Sequence, residues 1–268
     1  MGTATQLDTP ADPLLLREDS DGVTRLTLNR PRQYNALSLE LMAAVQRELD
    51  AIRDDPSVKV VVIAGAGPGF CAGHDLKELR ANPQRAFYEK TFAACSRLMQ
   101  GIVSLPKPVI ARVHGIATAA GCQLVATCDL AVAGTDARFA TPGVNIGLFC
   151  STPMVALSRN VGRKAAMEML LLGDTVPAAR AVELGLINRA VPGDDLDTTV
   201  ADMAAQIIAK SPLTLAIGKE AFYRQVEMEL GDAYDFASET MTRNMLARDA
   251  AEGIDAFIEK RKPVWRSE

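Results

Sequence analysis

Histidine is scarce in this sequence, and closely paired cysteines are absent from it. The 268 residues include only two histidines, His74 and His114, which argues against a zinc site built from imidazoles. The five cysteines stand at positions 71, 95, 122, 128 and 150, an odd number with no CxxC spacing. This pattern predicts reduced, buried thiols rather than disulfides, a redox pair or a metal site.

Long apolar runs and an excess of positive charge are also lacking. The formal net charge is −4, so we expect neither a nucleic-acid partner nor attraction to an anionic membrane. No apolar run reaches the length that crosses a bilayer. Residues 1–12 are polar without Lys or Arg, unlike a secretory or transit peptide. We therefore expect a cytoplasmic protein with a flexible N-terminus over residues 1–12.

The remaining composition is ordinary for a globular protein, 48% hydrophobic and 23% charged. Stretches rich in β-branched and other apolar residues at 23–28, 59–64 and 109–113 predict strands. Ser38 stands where the N-cap of an amphipathic helix is expected. From residue 152 onward the pattern is almost entirely helical, apart from a strand-like stretch at 187–191. The sequence therefore predicts an α/β core followed, from about residue 196, by a helical subdomain.

Two glycine-rich segments, residues 70–76 and 114–124, are the most informative part of the sequence. Each of these glycine loops follows a predicted strand and consists largely of small residues. Small side chains allow backbone N–H groups to approach a ligand closely. Two such loops can direct two N–H donors at one oxygen, which is the requirement for stabilising an oxyanion. We therefore expect the functional site at these loops.

Further short motifs accompany the glycine loops in a fixed order along the chain. They occupy residues 28–31, 35–37, 107–111, 128–130, 139–147, 181–186 and 259–263. Their order and spacing resemble those of the enoyl-CoA hydratase/isomerase (crotonase) superfamily along nearly the whole chain. Residues 119–124 and 147–153 are most similar to one branch of that family. The resemblance implies an α/β crotonase-like spiral of ββα repeats over residues 13–195, with a helical C-terminal trimerisation region over residues 196–268.

The resemblance also implies an acyl-CoA thioester as ligand, with coenzyme A as part of the substrate rather than a bound cofactor. By motif position, the thioester oxygen would lie between the backbone N–H groups of His74 and Ala120. The Ala120 N–H would lie at the start of a helix predicted over residues 121–127, which would add positive potential there. The resemblance further implies self-association as a homotrimer or hexamer. The ligand-contacting positions carried over from the motifs are Ala36, Leu37, Ala72, His74, Asp75, Leu76, Ala120 and Gly121.

Two positions depart from the pattern of the family's hydratases. Those enzymes use two glutamates to handle water and the α-proton, and Gln123 and Gly143 stand in their places here. Glutamine does not titrate near neutral pH, and glycine has no side chain. General acid–base catalysis contributes roughly 10²–10⁴-fold, so we expect a hydratase without both carboxylates to be very slow.

For three other potentially reactive side chains, we favour a structural role over a catalytic one. Asp75 is expected to be structural, as is His114, and Cys150 is expected to be a buried thiol because no base is evident beside it. The sequence does not determine whether the imidazole of His74 points at the ligand or away from it. The basic residues at positions 30 and 260–262 are equally compatible with CoA phosphates and with a solvated surface.

Three functions are compatible with these features. The first is an enzyme that stabilises a thioester enolate, nominally an enoyl-CoA hydratase or isomerase. The second is an enzyme of the same fold with different chemistry, such as decarboxylation or thioester hydrolysis, because decarboxylation needs an oxyanion hole but no base to start. The third is a non-catalytic acyl-CoA binder. Intact glycine loops favour ligand binding in all three, whereas Gln123 and Gly143 argue against the first.

Overall fold

Two β-sheets form the centre of the structure, a computed structural model that describes residues 12–267. Within these residues the strands are β1 (Leu15–Ser20), β2 (Val23–Leu28), β3 (Val60–Gly65), β4 (Val109–Val113), β5 (Ile116–Thr118), β6 (Leu130–Gly134), β7 (Arg138–Ala140), β8 (Val176–Pro177) and β9 (Arg189–Val191). The large sheet has the order β1-β2-β3-β4-β6-β9, and the small sheet has the order β5-β7-β8. The predicted strands at 23–28, 59–64 and 109–113 are confirmed.

The large sheet is parallel except at its first edge, where β1 runs antiparallel to β2. All six residues of β3 are buried, as expected for a central parallel strand covered on both faces. Parallel strands end at the same edge of a sheet, and a glycine loop follows each of the neighbouring strands β3 and β4. The topology therefore brings the two loops to one edge of the sheet.

Helices cover both faces of the large sheet and make up most of the C-terminal part. They are α1 (Leu39–Arg53), α2 (Leu76–Ala81), α3 (Arg85–Ser104), α4 (Ala120–Thr127), α5 (Pro153–Asn160), α6 (Arg163–Leu172), α7 (Ala178–Glu183), α8 (Leu196–Ile208), α9 (Pro212–Gln225), α10 (Leu230–Met245) and α11 (Arg248–Glu259). Ser38 caps α1 as predicted, because its side chain accepts a hydrogen bond from the Leu41 N–H at 3.2 Å. In the part of the chain described, no single helix is long and apolar enough to cross a membrane, although the bent pair Gly193–Ile208 and Pro212–Gln225 meets the length and composition test jointly.

The core lies on the two faces of the large sheet. On one face, the buried apolar sides of α1, α3 and α4 pack against residues such as Leu26, Ile63 and Val109. On the other face, α8 covers Val62 and Ile110. These opposite orientations follow from the alternation of side chains along each strand. The site-bearing loops are thus fixed to a sheet that is packed from both sides.

The predicted α/β class with a helical C-terminal region is confirmed. Four short elements were not predicted, namely α2 directly after the first glycine loop, and the three strands β5, β7 and β8 of the small sheet. The apolar residues 14–16 also predict a short strand, and β1 (Leu15–Ser20) extends beyond them. The N-terminal segment predicted to be flexible, residues 1–12, lies outside the described residues except for residue 12. The domain boundary near residue 195 remains a prediction, although α8 begins at Leu196.

Candidate functional site

The two glycine loops touch each other at Gly73. A Cβ atom at this position would lie 2.9 Å from the Cβ of Ala119 and 3.2 Å from the backbone nitrogen of Ala120. Gly73 also has a φ angle of +97°, which side chains rarely tolerate. Glycine is therefore required here for space and for backbone conformation. The contact places His74, the next residue, beside the start of α4.

Backbone hydrogen bonds join the loops directly. The N–H groups of Phe70 and Cys71 both donate to the carbonyl oxygen of Ile116 at 3.0 Å, and the Thr118 N–H donates to the Cys71 carbonyl at 2.9 Å. Gly121 packs so closely that a Cβ atom on it would lie 2.1 Å from the Cys71 carbonyl oxygen. These contacts fix the position of α4 relative to the first loop.

A third segment, residues 35–37, is hydrogen-bonded to the first glycine loop. We call the two glycine loops and this segment together the frame. The Leu37 N–H donates to the Gly73 carbonyl at 2.7 Å, and the Asp75 N–H donates to the Leu37 carbonyl at 3.1 Å. These two bonds pair Leu37 with His74 as a parallel bridge. In such a bridge the intervening N–H of His74 points to the opposite side.

Asn35 is a positioning residue that the sequence analysis quoted within a motif without giving it a role. It is fully buried, and its side-chain amide donates to the carbonyls of Ala66, Gly69 and Phe70 at 2.8–3.1 Å. The Asn35 Oδ1 accepts from the Arg30 N–H at 2.9 Å. One side chain thus satisfies three carbonyls at the entry to the first glycine loop. The sequence feature that could have indicated this role is the position of Asn35 at the start of the 35–37 motif.

A strained residue sets the direction of the Ala120 N–H. Ala119 has φ +49° and ψ −118°, a conformation that an L-residue holds only when its surroundings enforce it. Its N–H donates to the Ala140 carbonyl at 2.8 Å, and its carbonyl accepts from the Gln123 N–H at 3.0 Å. Ala120 is therefore the first residue of α4, where backbone N–H groups lack intrahelical acceptors. Across residues 12–267, neither the Ala120 N–H nor the His74 N–H donates a hydrogen bond.

The side chain of His74 packs against α3. Its ring meets the Phe92 ring edge-on, with the centroids 5.4 Å apart and the planes at 88°. Its Nε2 atom is buried without a hydrogen-bond partner among the described residues. Burial lowers the pKa of His74 to about 4, so the imidazole is neutral at pH 7 and has one donor and one acceptor nitrogen.

Gln123 lies one helical turn into α4 and contacts the same side of α3. Only 5% of its surface is exposed, and its Oε1 accepts a hydrogen bond from the Cys95 thiol at 3.8 Å. Its amide nitrogen has no partner in residues 12–267. The side chain is thus a neutral donor and acceptor beside the glycine loops.

Gly143 lies in a short 3-10 turn, Pro142–Ile146, and has no room for a side chain. A Cβ atom there would lie 2.5 Å from the Leu148 carbonyl oxygen and 2.9 Å from the Cys150 Sγ. The Cys150 thiol itself is buried, and burial raises its pKa despite a hydrogen bond from the Gly143 backbone. Thr141, two residues earlier, is fully buried and its Oγ1 has no partner in the part of the chain described.

The carboxylate of Asp75 is fully used by the fold. Its Oδ1 caps α2 by accepting from the N–H groups of Lys77 and Glu78, both at 3.1 Å. Its Oδ2 accepts from the Arg30 guanidinium at 2.8 Å. Burial alone would raise the pKa of Asp75, but the hydrogen bonds from Arg30 and Glu78 outweigh it and hold the pKa below its usual value. These bonds favour the structural reading of Asp75.

The other candidate groups are also occupied by structural contacts. The His114 Nε2 lies 2.8 Å from the Gly67 carbonyl and its Nδ1 lies 3.1 Å from Arg112, as expected of a structural histidine. Of the basic residues considered for CoA phosphates, Arg30 is engaged by Asp75, and Arg261 pairs with Glu252 and Glu259 of α11. Among residues 12–267, no group of three His, Cys, Asp or Glu side chains could hold a metal ion.

The predicted contact positions lie on three segments that the hydrogen bonds above connect. The Ala72 N–H donates to the carbonyl of Tyr34, the residue that precedes the third segment, at 2.9 Å. Leu76, the first residue of α2, is 49% exposed and stands at the open side of the frame. The structure therefore brings together all the predicted contact positions, which are Ala36, Leu37, Ala72, His74, Asp75, Leu76, Ala120 and Gly121.

Comparisons with known proteins agree with this arrangement. The family profile described as enoyl-CoA hydratase/isomerase matches residues 18–268. Two relatives are named enoyl-CoA hydratase domain-containing protein 3, mitochondrial. The Xenopus laevis protein is 47% identical, with 94% of this chain and 86% of the relative covered. The Homo sapiens protein is 46% identical, with 92% and 82% covered. These relatives belong to the branch to which residues 119–124 and 147–153 are most similar.

Solved structures show the same similarity. An enoyl-CoA hydratase from Mycobacterium smegmatis is 56% identical, with a TM-score of 0.93 and with 95% of this chain and 99% of the other covered. The human domain-containing protein 3 is 44% identical, with a TM-score of 0.92 and with 94% and 100% covered. The crotonase-like fold is therefore confirmed. The expected cytoplasmic location is contradicted, because the frog, rat and human relatives are all named as mitochondrial proteins.

Proposed function

The chain belongs to the enoyl-CoA hydratase/isomerase family, and we propose that it binds an acyl-CoA thioester whose carbonyl oxygen lies between the backbone N–H groups of His74 and Ala120. The observation that carries the proposal is the contact of the two glycine loops at Gly73. This contact brings the two N–H groups to one edge of the sheet, and neither donates a hydrogen bond within residues 12–267.

The chemistry follows from the charge of an enolate. When a thioester forms an enolate, negative charge develops on its oxygen, and two fixed donors stabilise that charge more than they stabilise the neutral carbonyl. Loss of one such donor typically costs about 2.7–4 kcal/mol in the activation barrier. Ala120 also begins α4, so the helix dipole adds positive potential at the same point.

The coenzyme A portion is part of this substrate rather than a separate cofactor. We assign its contacts to the frame around the two donors, with Leu76 at the open side. The oligomeric form proposed for the protein is a homotrimer or hexamer. The apolar side chains exposed on the C-terminal helices support self-association, namely Phe222, Val226, Leu230, Tyr234, Met241, Met245 and Leu246.

Efficient hydration of an enoyl-CoA is not part of the proposal. Gln123 and Gly143 stand at the places of the two glutamates that hydratases of the family use. Gln123 is neutral, and the space beside Gly143 is filled by Leu148 and Cys150. Neither position supplies a group that titrates near neutral pH. The proposed site therefore combines two oxyanion donors with an acyl-binding region that has no carboxylate base at positions 123 and 143.

The test of binding is a calorimetric titration with acetyl-CoA, with free CoA as the comparison. We expect saturable binding of acetyl-CoA, because only the thioester carries the oxygen that the two N–H groups hold. A protein that shows no saturation at millimolar acetyl-CoA would rule the proposal out. In a parallel assay, the absorbance of crotonyl-CoA should fall very slowly, and a normal hydratase rate would contradict the argument from Gln123 and Gly143.

A further inference from the structure

The two proposed oxyanion donors differ in what lies behind them. In a trans peptide, the C=O of one residue and the N–H of the next point in opposite directions. Behind the Ala120 N–H is therefore the Ala119 carbonyl, and this oxygen accepts the Gln123 N–H at 3.0 Å. The aligned peptides of the eight-residue helix α4 thus support this donor.

A chain of hydrogen bonds that starts outside the glycine loops lies behind the His74 N–H. The peptide of this N–H ends in the Gly73 carbonyl, which accepts the Leu37 N–H at 2.7 Å. The peptide of the Leu37 N–H ends in the Ala36 carbonyl, which accepts from the Arg30 guanidinium at 2.5 Å. Two peptide dipoles are therefore aligned in series. Their positive ends point toward the proposed ligand, and a permanent cation stands at the far end.

The Arg30 side chain is held at this position by further contacts. Its second terminal nitrogen donates to the Asp75 Oδ2 at 2.8 Å, and 17% of the side chain is exposed. The Arg30 backbone N–H donates to the Asn35 Oδ1 at 2.9 Å, and the Arg30 carbonyl accepts the Asn35 N–H at 2.9 Å. The Ala36 carbonyl also accepts the Ser38 N–H at 3.1 Å, which its second lone pair allows. The guanidinium is thus fixed against the Ala36 oxygen.

These contacts disfavour the other function considered for Arg30, a contact with CoA phosphates. Both terminal nitrogens have a partner, the Ala36 carbonyl and the Asp75 carboxylate. A phosphate would have to compete with this carboxylate, and at a distance it would meet a nearly neutral ion pair. The Ala36 oxygen, in contrast, is in direct contact with the cation.

On the basis of the proposed function, we propose that Arg30 is a positioning residue for the first oxyanion donor. Its guanidinium orients and polarises the peptides that end in the Leu37 and His74 N–H groups, so the His74 N–H becomes a stronger donor. Hydrogen bonds in a chain strengthen one another by roughly 10–30% per bond. The gain is largest for a charged ligand oxygen, because hydrogen bonds to charged groups are the stronger ones. Arg30 thus supports the His74 N–H as helix α4 supports the Ala120 N–H.

The test measures the preference for a charged oxygen, defined as the affinity for carboxymethyl-dethia-CoA divided by that for acetyl-CoA. In Arg30→Gln we expect this preference to fall about threefold or more, while the affinity for free CoA stays within about twofold. Arg30→Lys keeps a cation and should recover part of the preference. The matched control is Arg53→Gln, which should change nothing. Arg53 also donates to a backbone carbonyl, that of Ser104 at 2.9 Å, but at the end of α3, before β4 begins.

A second variant interrupts the chain of hydrogen bonds without changing Arg30. The α-hydroxy acid equivalent of leucine at position 37 replaces the Leu37 N–H by an ester oxygen, so the bond to the Gly73 carbonyl is lost. We expect a similar fall in the preference, and no further fall when Arg30→Gln is added to the ester. Losses that multiply would overturn the proposal, because they would show that the two groups act independently. If Arg30→Gln does not fold, an unchanged preference in the ester protein overturns it.

NMR spectroscopy measures the polarisation of the donor itself. Because the chain has two histidines, protein labelled with ¹⁵N-histidine gives backbone amide signals from His74 and His114 only. With the charged analogue bound, the His74 amide proton should lie downfield of its position with acetyl-CoA. Arg30→Gln should move it upfield, as expected for a weaker hydrogen bond, while the His114 signal stays in place.

The outcomes separate this proposal from the proposed function. An unchanged preference and an unchanged His74 amide signal in Arg30→Gln would overturn the role of Arg30 and leave the proposed function standing. An equal loss of affinity for free CoA, acetyl-CoA and the analogue would also overturn it, since that result assigns Arg30 to a CoA phosphate. Absence of binding of acetyl-CoA and of the analogue to the natural protein would overturn both.

Discussion

The glycine loops and segment 141–150 are neighbours, joined by the hydrogen bond from the Ala119 N–H to the Ala140 carbonyl, but they differ in how many of their side chains are exposed. In the loops, glycines pack against backbone atoms at 2.1–3.2 Å from a hypothetical Cβ, and successive backbone groups are paired. In segment 141–150, the Thr141 oxygen has no partner within the described residues, and Ile146, Leu148 and Phe149 are largely exposed. The difference teaches that the loops fix two N–H directions, whereas segment 141–150 presents apolar side chains at the surface.

The largest effect is expected from a substitution inside the loops, Gly121→Ala. The added Cβ would lie 2.1 Å from the Cys71 carbonyl oxygen, so α4 must move away from the first loop. We expect a loss of more than about 3 kcal/mol in the free energy of unfolding and no detectable acyl-CoA binding. Urea unfolding and calorimetry measure the two effects.

The matched control for this change is Gly218→Ala in α9, where nothing lies within 4 Å of the added Cβ. This variant should be as stable as the natural protein or more stable by about 0.5–1 kcal/mol, because alanine favours a helix over glycine. If both variants behaved alike, the close packing of the loops would not be what holds the site.

The next effect concerns segment 141–150. The double variant Gln123→Glu with Gly143→Glu introduces glutamates at the two positions where the family's hydratases have them. The fold around position 143 has no space for the second one. The new side chain at 143 would meet the Leu148 carbonyl and the Cys150 Sγ at less than 3.0 Å, so we expect a loss of about 1–3 kcal/mol and no gain of crotonyl-CoA hydration. A clear gain in that absorbance assay would show that the segment rearranges easily and that the site is a vestigial hydratase site.

A smaller effect is expected for Asp75→Asn, which removes the charge paired with Arg30. The carboxyl pKa is below its usual value in the folded protein, so its contribution to stability is present above about pH 4 and is lost as the pH falls through the folded-state pKa. We expect the variant to be about 1–2 kcal/mol less stable at pH 7.

The pH dependence separates this charge effect from a general loss of packing. The difference between the natural protein and Asp75→Asn should shrink as the pH falls below about 4, as measured by urea unfolding at several pH values. A difference that stays constant down to the lowest pH at which both proteins fold would speak against the ion pair with Arg30.

The smallest expected effect is an increase in the free energy of unfolding. Ala119→Gly removes the cost of holding an alanine at φ +49°, and we expect the free energy of unfolding to rise by about 1 kcal/mol. In Ala93→Gly, an exposed residue inside α3, the same chemical change should lower it by about 1 kcal/mol. Thermal unfolding of both variants measures these changes in stability, which should have opposite signs. A loss of stability in both would mean that Ala119 is not strained.

The sequence predicted features that depend on local pattern. Strands β2, β3 and β4 appeared as runs of β-branched residues, and Ser38 was recognised as a cap because capping needs only neighbouring residues. The positions of His74 and Ala120 followed from the family resemblance. Their convergence at Gly73 required the topology, in which two parallel strands end at the same edge.

Features that depend on contacts between distant residues were not predicted. Helix α2 has only six residues, too few for a periodic pattern, and its start depends on Asp75 held by Arg30. Strands β5 and β7 have three residues each and pair across about 20 positions of the chain. The filled space beside Gly143 arises from Leu148 and Cys150, whose carbonyl and sulfur positions no sequence pattern specifies.

The most direct test of the two-donor account replaces a single atom. Incorporation of the α-hydroxy acid equivalent of alanine at position 120 converts the N–H into an ester oxygen and leaves the methyl group in place. The ligands are acetyl-CoA and carboxymethyl-dethia-CoA, whose carboxylate places negative charge at the enolate oxygen. The control is the same backbone change at Gly193, an exposed residue.

The account predicts that the ester at position 120 weakens binding of the charged analogue by roughly 10–100-fold, as expected for the loss of a hydrogen bond to a charged oxygen, and weakens acetyl-CoA binding less. The ester at Gly193 should change neither affinity. Unchanged affinity for the charged analogue after removal of the Ala120 N–H would contradict the account.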